Sequence, residues 1–339
     1  MSWAMRSLPS QYEHLVSSPS GLRPVTDRRG HLVMPLGHKR ERHPQGWRFF
    51  MLHCSSSASN TRWRFMSACI HSLHIYPVKS LGGIDLTRSV LTAEGLCHDR
   101  RWVITDERGE FITQRGCARM AMLVPAIDEH HLIIQSPDRR HLYVSLAPPE
   151  VSPSRVRIFG KECQGLDEGD EAAHWLSAFL ERPVRLKRVP RDNQRRVSPE
   201  HLDEHVAYTG FADGYPLLVA SLSSLAALNA RLAERSLPAL PMSRFRPNIV
   251  IEGAPAFAEH GMTTLEGKSL SLWLCKPCER CRITTINQCS GDIAVPGEPL
   301  KTLMAMDHVS VGKAFFGENA VVMQGDGLAL HTGMALRMR

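Results

Sequence analysis

Short β-type runs separated by turn residues constrain the fold of this chain more than any other feature of its sequence. From residue 70 onward, such runs alternate with glycine, proline and polar turn residues. They are Ile70–Val78, Leu86–Leu91, Trp102–Thr105, Glu110–Thr113, Met122–Ile127, Leu132–Gln135, His141–Leu146 and Arg155–Phe159. Closely spaced strands of this kind favour a barrel or a sandwich over a wound α/β sheet.

Helical periodicity is limited to a few segments. Asp170–Leu180 has apolar residues at helical spacing and acidic residues at its start, which predicts a helix. Ser221 is predicted to cap a second helix that follows a buried strand at Pro216–Ala220. A short third helix is expected at Pro299–Met306. Further strands are predicted at Asn248–Ile251, Leu270–Leu274 and Arg282–Ile286.

Composition divides the chain into three parts. Residues 1–65 contain scattered prolines, serine clusters and no sustained periodicity, so we expect a disordered or non-native extension there. An organellar transit peptide and a true start at Met66 are the alternatives. Polarity rises again near 190–205, which predicts a first β domain at 69–190 and a second at 205–339. The predicted fold class is therefore mostly β (α+β), with two β-barrel-like modules and a few packed helices.

The positive charge of the chain is confined to its N-terminal part. The whole sequence carries a net charge of +7, and residues 1–65 hold ten basic and three acidic side chains. Residues 66–339 hold 31 basic and 31 acidic side chains, so this part of the chain is neutral. Because binding to a polyanion depends on clustered excess cations, we expect no nucleic acid as a partner. No apolar stretch approaches the roughly 20 residues that a membrane-spanning helix needs, so we expect no membrane span.

Nine cysteines in a chain without a signal-peptide core indicate a reducing compartment. The predicted location is the cytoplasm, or the mitochondrion if residues 1–65 are a transit peptide. Cys275, Cys278 and Cys281 stand at two-residue spacings, and Cys289 follows eight positions later. That spacing differs from bacterial ferredoxin sites and from the two separated pairs of a typical zinc site. A single metal-ligating cysteine, a compact zinc site and buried thiols all stay open on these residues alone.

The residues around this cluster resemble those of a known family. Residues 276–286, Lys-Pro-Cys-Glu-Arg-Cys-Arg-Ile-Thr-Thr-Ile, resemble the K-P-C-x-R-C-x-x-T-T segment of the molybdenum cofactor sulfurase C-terminal (MOSC) domain family. Residues 211–229 and 244–250 are similar to two more motifs of that family. Residues 75–80 and 95–102 resemble its N-terminal β-barrel module. Within the family, the chain resembles the amidoxime-reducing components and their bacterial counterparts. The ferredoxin domain that some of these carry at the C-terminus is not expected here.

The resemblance implies the molybdenum cofactor, Mo-molybdopterin, with Cys281 as metal ligand and catalytic residue. Arg280 and Arg282 are expected to help keep the Cys281 thiol deprotonated. Glu279 departs from the family pattern, in which a small or polar residue is common. The residues implied to bind the phosphate and pterin of the cofactor are Lys79, Ser80, Arg100, Asp213, Arg246, Asn248 and Arg280.

The function that the resemblance implies is reduction of N-hydroxylated compounds such as hydroxylamines, amidoximes and N-hydroxylated bases. Electrons are expected from a partner protein, which could be a cytochrome, a ferredoxin or a flavoprotein reductase. One alternative is a cofactor carrier or sulfur-transfer module, in which Cys278 or Cys289 could take part. Another is a structural zinc-binding interaction protein. The family is also linked to pyridoxal phosphate through cofactor sulfurases, although no Schiff-base lysine stands out here.

Overall fold

A computed structural model describes residues 66–306 and 309–339, so the extension predicted at 1–65 lies outside the described residues. The α-helices are α1 (Asp170–Leu180), α2 (Leu222–Ala233) and α3 (Leu300–Met306). The strands are β1 (Met66–Ile75), β2 (Ile84–Leu86), β3 (Arg88–Thr92), β4 (Gly95–Leu96), β5 (Trp102–Thr105), β6 (Val124–Ile127), β7 (His131–Gln135), β8 (His141–Ser145), β9 (Ser154–Ile158), β10 (Lys161–Asp167), β11 (Arg185–Arg188), β12 (Leu217–Ser221), β13 (Ile249–Glu252), β14 (Thr264–Glu266), β15 (Ser271–Glu279), β16 (Phe315–Gln324), β17 (Ala329–His331) and β18 (Ala335–Met338). Short 3₁₀ helices lie at Ala118–Met122, Pro199–His201, Met242–Arg244, Ala258–Gly261 and Arg282–Thr285.

Seven strands close into a barrel. Hydrogen-bonded neighbours run in the order β13-β12-β16-β15-β14-β18-β1, and β1 also pairs with β13. The apolar alternation of β1 shifts between Ile70 and Leu73, and a register irregularity against β13 lies at the same place. A bulge of this kind returns the later side chains to the core face. Ile70 and Leu73, which lie on either side of the bulge, are therefore both fully buried inside the barrel.

Two further antiparallel sheets come from the middle of the chain. Their orders are β5-β11-β10-β9 and β6-β7-β8. Trp102, Leu176 and Leu186 share one hydrophobic core that joins α1 to these sheets. β1 lies in the barrel with strands that begin after residue 216, although it precedes the middle sheets in sequence. The domain limits 69–190 and 205–339 stay predictions.

The mostly β fold with few helices is confirmed, and the helices agree with their local signals. α1 spans the predicted residues, and α3 begins one residue after the predicted start. The Ser221 hydroxyl accepts a hydrogen bond from the Ser223 amide, as expected of an N-cap. Among the described helices, none combines the length and the apolar character needed to cross a bilayer.

The strand predicted at Arg282–Ile286 is wrong, because residues 282–285 form a 3₁₀ helix. The Thr284 and Thr285 hydroxyls donate to the carbonyl oxygens of Cys281 and Arg282 at 2.9 and 2.8 Å. Such local side-chain bonds compete with the strand ladder. The predicted strand at 110–113 is reduced to isolated bridges, and the one at 86–91 is divided into β2 and β3.

Leu73 tests the barrel core, because it is fully buried where β1 meets β13. We expect Leu73→Ala to lower the free energy of unfolding by about 2–5 kcal/mol, since truncation leaves a cavity. Val90→Ala, at a position 44% exposed on β3, should change it by less than about 0.5 kcal/mol. Thermal unfolding followed by circular dichroism compares the two variants. Equally small changes in the free energy of unfolding for the two variants would contradict a packed core where β1 pairs with β13.

Candidate functional site

The structure brings all of the predicted site residues together in one cleft with a cavity volume of about 120 Å³. Their individual roles toward a cofactor stay predictions. The predicted residues that line it are Lys79, Ser80, Arg100, Asp213, Arg246, Asn248, Arg280 and Cys281.

Three barrel strands deliver most of these residues at one edge. Lys79 and Ser80 follow the end of β1. Asp213 precedes β12, whereas Arg246 and Asn248 precede β13. β1 runs antiparallel to β13 and β12 runs parallel to it, so the end of β1 and the starts of the other two strands share one edge. Residues far apart in sequence therefore meet because the barrel closes.

Cys281 and Arg280 reach the cleft along a bent strand. They follow directly after β15, which has three register irregularities against β16. Irregularities of this kind bend a strand and redirect the side chains at its end. Only the first half of β15 was predicted, so the extended conformation that leads into the cysteine cluster was missed.

Three residues that line the cleft have left-handed backbone, as do seven other non-glycine residues elsewhere among the described residues. Ser80, Arg100 and Arg246 have φ values of 68°, 46° and 55°, in the left-handed region that favours glycine. Each such residue costs on the order of 1–3 kcal/mol and persists only where its surroundings hold it. The Arg100 amide donates to the Tyr76 carbonyl oxygen at 2.9 Å, which is one such restraint. Strained backbone is common at functional sites, and these three residues agree with that assignment of the cleft.

A buried tyrosine ring holds two of the cations. The Arg100 and Arg246 guanidinium carbons lie 4.3 and 4.2 Å from the centroid of the Tyr76 ring. Both Asp99 carboxylate oxygens accept from Arg100 Nη1 at 2.7 Å. Burial and the nearby Arg100 lower the pKa of Arg246 to about 10, and burial raises the pKa of Tyr76 to about 12. The aromatic ring and the buried carboxylate thus fix the two guanidinium groups in place.

Lys79 is a buried ammonium at the floor of the cleft. Its Nζ donates to the Phe211 carbonyl oxygen at 2.8 Å and forms an ion pair with Asp213. Burial lowers the pKa of Lys79 to about 8, against the opposing effect of Asp213. The Asp213 side chain is 59% exposed toward the cleft. Loss of hydration between the cleft walls tends to raise its pKa, but Lys79, Arg115 and Arg100 outweigh this and hold it well below its usual range.

The cation that contacts Cys281 is Arg115, which the sequence did not single out. Arg115 Nη2 lies 3.2 Å from Cys281 Sγ and 3.4 Å from Asp213 Oδ2. Arg280 Nη1 instead lies 2.7 Å from Cys278 Sγ, and Arg282 is exposed. Arg280 and Arg282 are therefore not the groups that contact this sulfur. In an extended chain, successive side chains point to opposite sides, which separates Cys281 from its neighbours in sequence.

Arg280 retains an unused donor at the wall of the cleft. Its Nη2 donates to the Phe245 carbonyl oxygen at 2.7 Å, whereas its buried Nε finds no hydrogen-bond partner among the described residues. A buried donor without a partner costs free energy that a ligand acceptor would recover. Cys278 lines the same cleft, and burial raises the pKa of its thiol.

Cys275, Glu279 and Cys289 lie outside the cleft. Glu279 forms a 3.3 Å ion pair with Lys313, so its carboxylate is not among the lining groups. Cys275 Sγ donates to the Trp273 carbonyl oxygen at 3.3 Å, and Cys289 is exposed. In residues 66–306 and 309–339, no group of three or more His, Cys, Asp or Glu side chains could hold a metal ion. The zinc alternative has no ligand set in that part of the chain.

Comparison with known proteins agrees with the motifs. The MOSC N-terminal beta barrel domain matches residues 67–183, and the MOSC domain matches residues 208–333. Mitochondrial amidoxime-reducing component 1 of Mus musculus is 32% identical over 69% of this chain and 70% of that protein. Mitochondrial amidoxime reducing component 2 of Homo sapiens is 33% identical over 69% and 71%. Molybdenum cofactor sulfurase of Oryza sativa subsp. japonica is 30% identical over 73% of this chain but 32% of that protein.

The lowered pKa of Lys79 predicts a pH dependence of anion binding. With a pKa of about 8, the ammonium is mostly charged at pH 7 and mostly neutral at pH 9. We expect the affinity of the cleft for sulfate to fall about tenfold over this interval, because the cation is lost while the charge of sulfate stays constant. Titration calorimetry measures the sulfate affinity at pH 7 and pH 9. The Lys79→Arg variant keeps its positive charge at both pH values and should bind sulfate equally well at both. The same fall in affinity in the wild-type protein and the variant would contradict the assignment of the pH dependence to Lys79.

Proposed function

The chain belongs to the MOSC family, with a MOSC N-terminal β-barrel module ahead of the MOSC domain, and from this premise we propose that it is a molybdenum cofactor-dependent oxidoreductase. We propose N-hydroxylated compounds as its substrates, in the class of hydroxylamines, amidoximes and N-hydroxylated bases. The names of the amidoxime-reducing relatives support the reaction, and the name of the cofactor sulfurase supports the cofactor. The observation that carries the proposal is a cysteine thiol at the wall of a cleft lined by buried cations.

The donor set of the cleft fits such a cofactor. A metal held by the dithiolene of a pterin with a phosphate tail needs one protein thiolate, several cations and polar contacts to a ring edge. Cys281 offers the thiolate, and Lys79 and Ser80 offer an ammonium and a hydroxyl for the phosphate. Asn248 offers both a donor and an acceptor to a ring edge. The unpartnered Arg280 Nε adds a donor that an acceptor of the cofactor would satisfy.

The overall reaction consumes two electrons and two protons: R–NH–OH + 2 e⁻ + 2 H⁺ → R–NH₂ + H₂O. The N–O bond breaks, the nitrogen is reduced and the oxygen leaves as water. The bound cofactor supplies the two-electron chemistry, and the protein supplies position and protons. Lys79, with a pKa of about 8, can hold or release a proton near neutral pH. Arg115 and Asp213 fix the positions of the Cys281 sulfur and the Lys79 ammonium.

The electrons must come from a reductant outside this reaction. We propose an electron-transfer protein as the donor, namely a cytochrome, a ferredoxin or a flavoprotein reductase. We expect this donor to bind this protein at the open side of the cleft, because the rate of electron transfer falls steeply with distance.

The cofactor carrier or sulfur-transfer module is the second candidate. Cys278 lies in the same cleft as Cys281, so a second thiol is available for sulfur relay. The similarity to molybdenum cofactor sulfurase, which covers 32% of that protein, also favours it. Under this function the cofactor would pass through the cleft and would not stay for turnover.

The compartment is a proposal as well. The two amidoxime-reducing relatives named above are called mitochondrial, which supports the mitochondrial alternative over the cytoplasmic prediction. Fusing residues 1–65 to a fluorescent protein tests it: import into mitochondria is the expected result, and retention in the cytosol would contradict it.

Cys281→Ser tests the leading function. We expect the purified wild-type protein to contain equimolar molybdenum and pterin, measured by elemental analysis and pterin fluorescence. The variant should lose the metal and at least 100-fold of the N-reduction rate, because serine cannot supply a soft thiolate ligand.

Cys289→Ser is the matched control, since this thiol is exposed and outside the cleft. It should retain both the metal and the activity. Zinc in place of molybdenum, or full activity in Cys281→Ser, would sink the proposal. A requirement for Cys278 with no bound metal during turnover would favour the sulfur-transfer function.

A further inference from the structure

An exposed phenylalanine occupies the tip of a tight hairpin beside the cleft. β9 ends at Ile158 and β10 begins at Lys161, and these two residues are paired, so the loop contains only Phe159 and Gly160. Their φ values are 48° and 77°. Two positive values match a type I′ turn, in which Asn-Gly is the favoured sequence.

Phenylalanine is a costly residue at this turn position. A bulky side chain with positive φ is a conformational outlier, with a cost on the order of 1–3 kcal/mol. The Phe159 side chain is 50% exposed, so burial of the ring compensates only part of that cost. An exposed aromatic residue held in a strained conformation suggests that its position serves a ligand.

The contacts of Phe159 connect it to Cys281. Its ring packs edge-on against Phe111, with centroids 4.8 Å apart and an interplanar angle of 65°. The Arg115 guanidinium carbon lies 5.1 Å from the Phe159 centroid, and Arg115 Nη2 lies 3.2 Å from Cys281 Sγ. Lys79 Nζ is 5.5 and 5.6 Å from the centroids of the two rings. One guanidinium therefore touches both the exposed ring and the sulfur atom.

We propose that Phe159 and Phe111, the aromatic pair, bind the ring of a planar aromatic substrate whose N-hydroxy group is directed toward Cys281. The inference rests on the proposed function and specifies its substrate class. Aromatic rings prefer offset or edge-on contact with another ring, which favours a flat ring over a saturated one. The aromatic pair then acts as a specificity determinant, and Arg115 links it to the reacting centre.

Phe159→Asn separates binding from stability. Asparagine suits the turn, so the thermal midpoint should stay equal or rise. With the molybdenum-loaded protein and a chemical reductant, we expect the KM for benzamidoxime to rise about two- to tenfold, since one aromatic contact is lost. The KM for cyclohexanecarboxamidoxime, its saturated counterpart, should change by less than about twofold. Equal changes for both substrates, or no change for either, would overturn the inference.

Two variants serve as controls. Tyr143→Asn removes another exposed aromatic ring, which is 56% exposed on β8 and contacts His131 and His141, so it should leave both KM values unchanged. Phe159→Trp keeps an aromatic surface and should keep the preference for benzamidoxime. Loss of the preference in Phe159→Trp would also count against an aromatic contact.

Failure of the proposed function is distinguishable from failure of this inference. If the wild-type protein reduces neither compound, the proposed function fails, and calorimetric binding of benzamide and cyclohexanecarboxamide tests the aromatic pair alone. Tighter binding of benzamide that disappears in Phe159→Asn supports the pair. Equal binding of the two amides overturns it.

Discussion

The cleft exists because carboxylates and an aromatic ring hold several cations close together despite their mutual repulsion. Asp99 binds Arg100 through both oxygens, and the Tyr76 ring packs against both Arg100 and Arg246. Asp213 balances the buried Lys79. Removing one partner of a buried ion pair leaves an uncompensated charge and is strongly destabilising. The positive potential that an anionic cofactor would meet is therefore built into the folded structure.

Barrel closure places these groups. Tyr76 and Lys79 follow β1, which is the strand that closes the barrel against β13. Arg246 precedes β13, so the same strand pairing that buries Leu73 also brings the cations together. Stability and site geometry thus depend on one seam, and part of the stability is offset by left-handed backbone at three site residues.

The sequence predicts what is encoded locally and misses what depends on tertiary pairing. The helix at 170–180 and the Ser221 cap follow from adjacent residues. The site residues could be selected because the family motifs are contiguous in sequence. Arg115 lies in a turn 166 positions from Cys281, and no local pattern distinguishes it from other arginines. Phe159 could not be predicted either, because its contact with Arg115 depends on tertiary structure and not on the hairpin sequence. The Thr284 hydroxyl donates a local hydrogen bond to the Cys281 carbonyl oxygen, which stabilises the 3₁₀ turn. The segment has a strand-like composition, which is why the sequence predicts a strand there.

Whether Cys281 binds molybdenum can be tested by a crystal structure of the purified holoprotein, with anomalous diffraction data collected at the molybdenum edge. We expect one molybdenum peak at bonding distance from Cys281 Sγ, with pterin density in the cleft and the phosphate tail at Lys79 and Ser80. A peak at another cysteine, or a cleft without pterin density in a protein that contains molybdenum, would contradict it.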